Sequence, residues 1–279
     1  MIRTLLRTTF ALCLAAPFVA QAAEITAGTA EYVTFRDCIP GDTTACDSLS
    51  PIVSGLFGGS AGAYSSSATE HYAGYGSASG SVSLSGTIGA PILHASASGD
   101  VGKRANTNSV AVQSYTYTGT TTVTRTFGGT LTYSQLVTGN YPNNAGVYAT
   151  IDAFSLSTPT IDVGDTADSN FYTLFNGGYP GYTDIASSTF LDTASTTSGA
   201  GSFGVTVTLT PGETIWLQVL LQTPAANGSW VDASHTLVTG WDDISDLHPA
   251  AISVPEPSSL QLLALGLAAV ALARRLRRG

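Results

Sequence analysis

Apolar residues alternate with Ser, Thr and Gly along most of this chain, and between residues 24 and 250 they do not recur at the spacing of a long amphipathic helix. Period two sends successive side chains to opposite faces of an extended backbone. The chain must therefore fold as strands that bury one face each. The candidates are Glu31–Arg36, Ser81–Ser85, Ile92–Ser98, Val110–Thr118, Thr121–Phe127, Leu131–Val137, Gly146–Leu156, Phe171–Phe175, Phe203–Thr210, Thr214–Gln222 and Val231–Thr239. Gly- and Pro-bearing turns separate them. This pattern predicts an all-β, antiparallel β-sandwich or jelly-roll-like body. Thr214–Gln222 is apolar on both faces and reads as a central strand.

Two connections carry a register expectation. Gly128-Gly129 reads as the turn of a hairpin between Thr121–Phe127 and Leu131–Val137. A two-residue loop would put the apolar sets on opposite faces, so the loop is expected to span Gly128 to Thr130 and pair Phe127 with Leu131. The same parity predicts a three-residue loop at Pro211-Gly212-Glu213, pairing Leu209 with Ile215. Residues 55–102 are rich in Gly, Ser and Ala, which suits either flexible chain or thin strands. Val82, Leu84, Ile92 and Leu93 supply burial signals and favour strands.

Charged residues make up only 10% of the chain against 43% apolar, and the net charge is −9. The usual charged share is about a quarter. Once the basic ends are set aside, the body keeps only Arg36, Lys103, Arg104 and Arg125 as cations. So acidic a body repels phosphate backbones, which excludes nucleic acid as a partner.

Both ends read as addresses. Residues 1–22 combine Arg3 and Arg7, the apolar run Phe10 to Ala20, and small residues before a junction at Ala22 and Ala23. That is a secretory signal peptide, with the body at 23–250. Cys13 leaves with it. Residues 251–279 contain Val254, Pro255, Glu256 and Pro257, then an apolar run over 260–273, then Arg274, Arg275, Arg277 and Arg278. The prolines keep their segment extended. The apolar run spans about 21 Å as a helix, short for a bilayer core of about 30 Å. The arginine cluster acts as a cytoplasmic stop that snorkels to the interface, so the run reads as a short transmembrane helix.

These three parts in order, VPEP, short apolar helix and terminal arginines, resemble the PEP-CTERM sorting signal of Gram-negative bacteria. The resemblance implies recognition at Pro255, Glu256 and Pro257 by an exosortase, a membrane cysteine transpeptidase. It implies a passage from the inner membrane, where the helix holds the chain transiently, to the cell surface or medium. It also implies an association with biofilm and exopolysaccharide.

Catalytic patterns are sparse. Gly58-Gly59-Ser60-Ala61-Gly62 matches G-x-S-x-G, but no helix is expected after it, as a nucleophile elbow requires. His71, His94, His235 and His248 lack metal-ligand spacing. Asp242, Asp243 and Asp246 read as a solvated acidic turn rather than as the paired carboxylates of a glycosidase. Asp162, Asp165 and Asp168 recur every third residue and form a candidate set of hard oxygen ligands for calcium, outside the EF-hand pattern. Asn227-Gly228-Ser229 matches a glycosylation sequon without bearing on function in a bacterial setting. No other cofactor is expected, and the chain reads as a non-catalytic surface protein. The alternative is a secreted carbohydrate-binding module or hydrolase, with Trp230 and Trp241 available to stack on sugars and Trp216 in the core.

Cys38 and Cys46 are the only cysteines left after signal cleavage, in an oxidising compartment, and Pro40-Gly41-Asp42 lets the loop between them turn back. They are expected to form a disulfide that stabilises the fold by about 2.5 kcal/mol on the chain-entropy scale. Thiol labelling of the unreduced mature protein should find no reactive cysteine; two labelled thiols would mean free cysteines or a metal pair.

Overall fold

The computed structural model describes residues 24–25, 27–38, 53–61, 65–86, 88–138, 144–157, 161–162, 181–193 and 198–249. The expected signal peptide with Ala22 and Ala23, Cys46, Asp165, Asp168, the expected strand Phe171–Phe175 and everything from residue 250 onward lie outside these residues. Cys38 is disulfide-bonded.

All regular structure among the described residues is strand. In chain order the strands are β1 (Glu24–Ile25), β2 (Ala27–Asp37), β3 (Val53–Ala61), β4 (Ser65–Tyr72), β5 (Gly76–Ser85), β6 (Ala90–Gly99), β7 (Lys103–Tyr117) and β8 (Val123–Leu136). They continue with β9 (Val147–Ser155), β10 (Ile161–Asp162), β11 (Thr183–Asp192), β12 (Ser198–Leu209), β13 (Thr214–Ala226), β14 (Trp230–Trp241) and β15 (Leu247–Pro249). One sheet of seven runs β11-β9-β13-β7-β2-β3 with β15 also on β7, and a sheet of six runs β12-β8-β14-β6-β5-β4. A separate pair joins β1 to β10. Every pairing is antiparallel. The two large sheets face each other in matching order, β11 beside β12, β13 over β14 and β6, β7 over β6 and β5, β2 over β5 and β4. The body is thus all-β and sandwich-like, and β13 is interior to its sheet, as its two apolar faces require.

The Gly/Ser/Ala-rich stretch forms β3 to β6, which makes one edge of the sandwich. Small residues suffice there because Ala68, Ala78, Val82, Leu93, Ala95 and Ala97 alternate inward from thin strands.

Both hairpin expectations are overturned. Residues 123–136 are one continuous strand, with Gly128 opposite Gly204 on one side and Gly240 on the other. The glycines mark close packing rather than a turn: a Cβ on Gly129 would lie 2.8 Å from Leu237 Cδ1, and one on Gly204 would lie 2.7 Å from the Phe127 carbonyl oxygen. At Pro211-Gly212-Glu213 the chain crosses between sheets, since β12 pairs with β8 while β13 pairs with β7 and β9. Leu209 and Ile215 both point into the core, from opposite layers.

The core between the sheets centres on Trp241, edge-on to Tyr115 at 5.5 Å and to Phe127 at 5.2 Å. Amid this apolar layer sits one fully buried carboxyl, Glu31 of β2, opposite Ser109 of β7. Gly80 of β5 makes room for it: a Cβ there would lie 2.2 Å from Glu31 Oε2. The Ser109 hydroxyl is 2.8 Å from Glu31 Oε2 and 2.8 Å from the His94 carbonyl oxygen, and it owns a single hydrogen. Both contacts are satisfied when Glu31 is a neutral acid that donates to Ser109, which in turn donates to the His94 carbonyl. Burial agrees, holding the Glu31 carboxyl up from 4.5 to about 9, partly offset by the Ser109 hydroxyl.

This group makes stability fall as pH rises. The unfolded chain releases the Glu31 proton near pH 4.5 and the folded chain keeps it to about pH 9, so between these values the unfolded state binds fewer protons and gains relative stability. Glu31→Gln keeps a donor to Ser109 and removes the titration. Its melting temperature at pH 8 should exceed that of the parent by on the order of 5–10 °C, with the gap closing toward pH 4. Calorimetry across that range checks it, and a gap that stays constant with pH would show that Glu31 is ionised in the fold.

Candidate functional site

The described chemistry concentrates on the outer face of the six-stranded sheet. Alternation that sends Val82, Leu93 and Ala95 inward sends Ser and Thr outward, and strand register aligns them in rows. One row reads Asp232, Ser96, Ser79, Thr69 across β14, β6, β5 and β4; its neighbour reads Trp230, Ser98, Ser77, His71. A third row holds His94, Ser81 and Ser67. Rows on one face lie about 7 Å apart along the strands and strands about 4.8 Å apart across them. The rows of Ser96 and His94 line an open groove of about 380 Å³ with Ser67, Thr69, Ser79, Ser81, His94, Ser96 and Ser234 at its walls.

Ser79 and Ser96 share a hydrogen bond of 2.7 Å, and His94 Nδ1 lies 2.5 Å from the Ser234 carbonyl oxygen. The Asp232 carboxylate accepts from the Ser234 amide at 2.8 Å, fixing the irregular stretch of β14 at the groove's end. Trp230 borders these rows with 38% of its surface exposed. The lining is hydroxyl-rich and holds no Lys or Arg. Such a surface suits an uncharged, hydroxyl-bearing ligand met by hydrogen bonds and one stacking ring.

The sequence candidates separate on this frame. Trp241 is only 9% exposed and belongs to the core, so it is unavailable for stacking on a sugar. Trp216 is buried as expected, but on the outward side of β13, stacked on Phe154 at 6.2 Å. His71 and His248 are exposed, and His94 alone of the described histidine side chains lines the groove. Ser60 lies inside β3 opposite Thr29, and the next described element is strand β4 rather than a helix.

The acidic turn is a structural corner. Asp243 pairs with Arg125 Nη2 at 2.8 Å, and hydrogen bonds from Ser245, then the Arg125 charge, hold its carboxyl below the usual range. Asp246 adopts φ of 61°, and its carbonyl accepts from Thr118 N at 2.8 Å. Asn227, also at positive φ, accepts from Gly102 N at 3.0 Å, so the sequon serves as the bend between β13 and β14. Asp162 lies in β10 opposite Glu24, and the other two members of the candidate calcium set, Asp165 and Asp168, lie outside the described residues. Among the described residues no three His, Cys, Asp or Glu side chains converge on a common point. Among the described residues there is no helix long and apolar enough to cross a membrane.

Two features escaped the sequence reading. Glu31 could have been found, because it shares a strand face with Val33 and Phe35. The groove could not, because a serine row has meaning only once four strands are in register.

Compared with known families, residues 253–278 match the PEP-CTERM protein-sorting motif. Among curated proteins the chain has no match.

Proposed function

We propose that this chain, which carries the PEP-CTERM protein-sorting motif near its C-terminal end, is an exported, non-catalytic surface or extracellular-matrix protein released from the inner membrane by an exosortase. The motif match over residues 253–278 carries the reading. Export brings the body across, Leu260 to Ala273 stops in the bilayer, and Arg274, Arg275, Arg277 and Arg278 stay on the cytoplasmic side. Pro255-Glu256-Pro257 then lies extended at the outer membrane face, within reach of a membrane-embedded protease. Cleavage near it frees the body for the surface or the matrix. No cofactor enters this reading.

Replacing Pro255-Glu256-Pro257 by three alanines should leave full-length chain in the inner membrane, whereas the parent protein recovered from the surface should yield no peptide beyond Leu260 by mass spectrometry. Intact tails on most surface molecules, in a host with an exosortase, would make the chain a permanently anchored protein instead.

The hydroxyl-lined groove beside exposed Trp230 supports exopolysaccharide as the partner of the body. The same observation favours a second reading, a carbohydrate-binding module held by a C-terminal anchor, and retention of the tail tells the two apart. In either case Trp230→Ala should weaken binding to a neutral polysaccharide by about tenfold, the equivalent of roughly 1.4 kcal/mol, while Trp241→Ala should lower the melting temperature. Affinity electrophoresis in polysaccharide-containing gels checks the first effect. Equal retardation of parent and Trp230→Ala would remove this face as the binding surface.

A further inference from the structure

We propose that β12 is a self-association edge, through which two copies of this chain join their six-stranded sheets about a twofold axis at Phe203. One side of β12 pairs with β8 from Ser198 to Leu209 without a register shift, and no described strand lies along its other side. That open side is a straight row of amide and carbonyl groups spaced for another strand.

Edge strands usually carry devices that prevent such pairing, and β12 lacks them. Its sequence, SGAGSFGVTVTL, has no charge, no proline and no bulge. The other edges differ. β4 carries Glu70 and His71, β11 carries Asp184 and Asp192, and β3 meets a register shift against β2 between Ala30 and Tyr32. In a chain of net charge −9, like charges oppose contact between copies over most of the surface. β12 is an uncharged approach for a second copy.

The same edge leaves an apolar seam half open. Phe203 stacks on Phe190 of β11 at 6.2 Å, and Phe190 lies 5.8 Å from Tyr133, all at the mouth between the two sheets. Phe190 and Phe203 are only half-buried. Gly199 and Gly201 cannot close the seam, and a side chain at either would displace a ring: a Cβ on Gly201 would lie 2.2 Å from the Phe190 ring, and one on Gly199 2.3 Å from the Tyr133 hydroxyl.

Parity then fixes the register. Odd positions from Gly199 to Leu209 face inward, and directly opposed residues of an antiparallel pair share a face. An axis at Phe203 sets Phe203 against its copy, Gly201 against Val205 and Gly199 against Val207, each glycine meeting a branched side chain. An axis at Gly204 keeps parity but gives up the aromatic pair, and an axis between residues turns inward positions against outward ones. Outside, Ser202 meets Gly204 and Ala200 meets Thr206.

Ala200 and Thr206 are exposed, so charge can be placed there without entering the core. Sedimentation velocity of the full chain in detergent micelles should show a dimer for the parent. A200K/T206K and A200E/T206E should each be monomeric, with at least tenfold weaker self-association, and an equimolar mixture should regain the dimer. A parent that stays monomeric at about 100 µM, a charged variant that still dimerises, or a mixture that stays monomeric overturns the proposal. A second test introduces no charge. Opposed residues in a sheet lie within disulfide range, so Phe203→Cys should cross-link copy to copy and Thr208→Cys should not. Cross-linking of Thr208→Cys alone would refute the axis.

Discussion

The pairing of β7 with β13, unbroken from Thr214 opposite Thr116 to Ala226 opposite Arg104, is the constraint on which the rest of the body is built. β13 also holds β9, and β7 also holds β2 and β15, so five strands take their register from this one ladder. The ladder is stable because β13 buries both faces. Leu217, Val219 and Leu221 point into the sandwich, while Trp216 and Gln218 are buried on the outward side. The facing sheet is then set by side chains from this pair, chiefly Tyr115 against Trp241 and Ser109 against the His94 carbonyl. The second of these is polar, which makes it directional. Apolar contacts tolerate small slides, whereas the Glu31–Ser109–His94 chain needs its three groups in place. A buried hydrogen-bonded acid in this position therefore fixes the stagger of the two layers at some cost in stability at neutral pH.

What the sequence disclosed follows from which signals are local. Period-two alternation is local, and it located β2, β6, β7, β9, β12, β13 and β14 to within a few residues at most ends. Partner choice is not local. Leu209 and Ile215 face each other across Pro211-Gly212-Glu213 both in a hairpin of odd loop length and in an arch between layers. The parity argument is satisfied by either, so it could not detect the crossing. Gly128-Gly129 failed for a related reason. Glycine marks a turn when the backbone needs positive φ, and it also marks a strand site where a neighbour leaves no room for Cβ. Only the neighbours Leu237, Val238 and Phe203 tell the two apart. β4 and β11 escaped because their apolar positions are few and do not alternate cleanly inward: β4 buries only Ala68 of them, and on β11 Ile185 and Leu191 are exposed.

The candidate site was legible in part for the same reason. Trp230 and Trp241 stand at the two ends of one strand and look equivalent in sequence. Eleven residues and an irregularity between Asp232 and Leu237 place one outside and the other in the core. A low charged content leaves the surface to Ser, Thr, Asn, Gly and Tyr, but whether the hydroxyls scatter or align depends on cross-strand register. Here β4, β5 and β6 pair without a single shift, so the rows stay aligned over the groove.

Geometry also bears on the export and processing proposed for this chain. β15 pairs Pro249 with Tyr115 on the side of β7 where β2 begins, with Ala27 opposite Gln113. The first strand of the large sheet and the last thus occupy one line along β7, end to end. Whatever precedes Ala27 and whatever follows Pro249 therefore leave the body at neighbouring points on the same ladder. Neither segment has to thread through the sandwich, and the β7–β13 ladder is complete without them. On the proposed function, removal of the expected N-terminal leader and of the C-terminal tail would leave the core undisturbed, because the short β15 is the one described element between that core and the tail. Such an arrangement suits the proposed sorting, because the strands that set the fold lie between Ala27 and Pro249, clear of both ends.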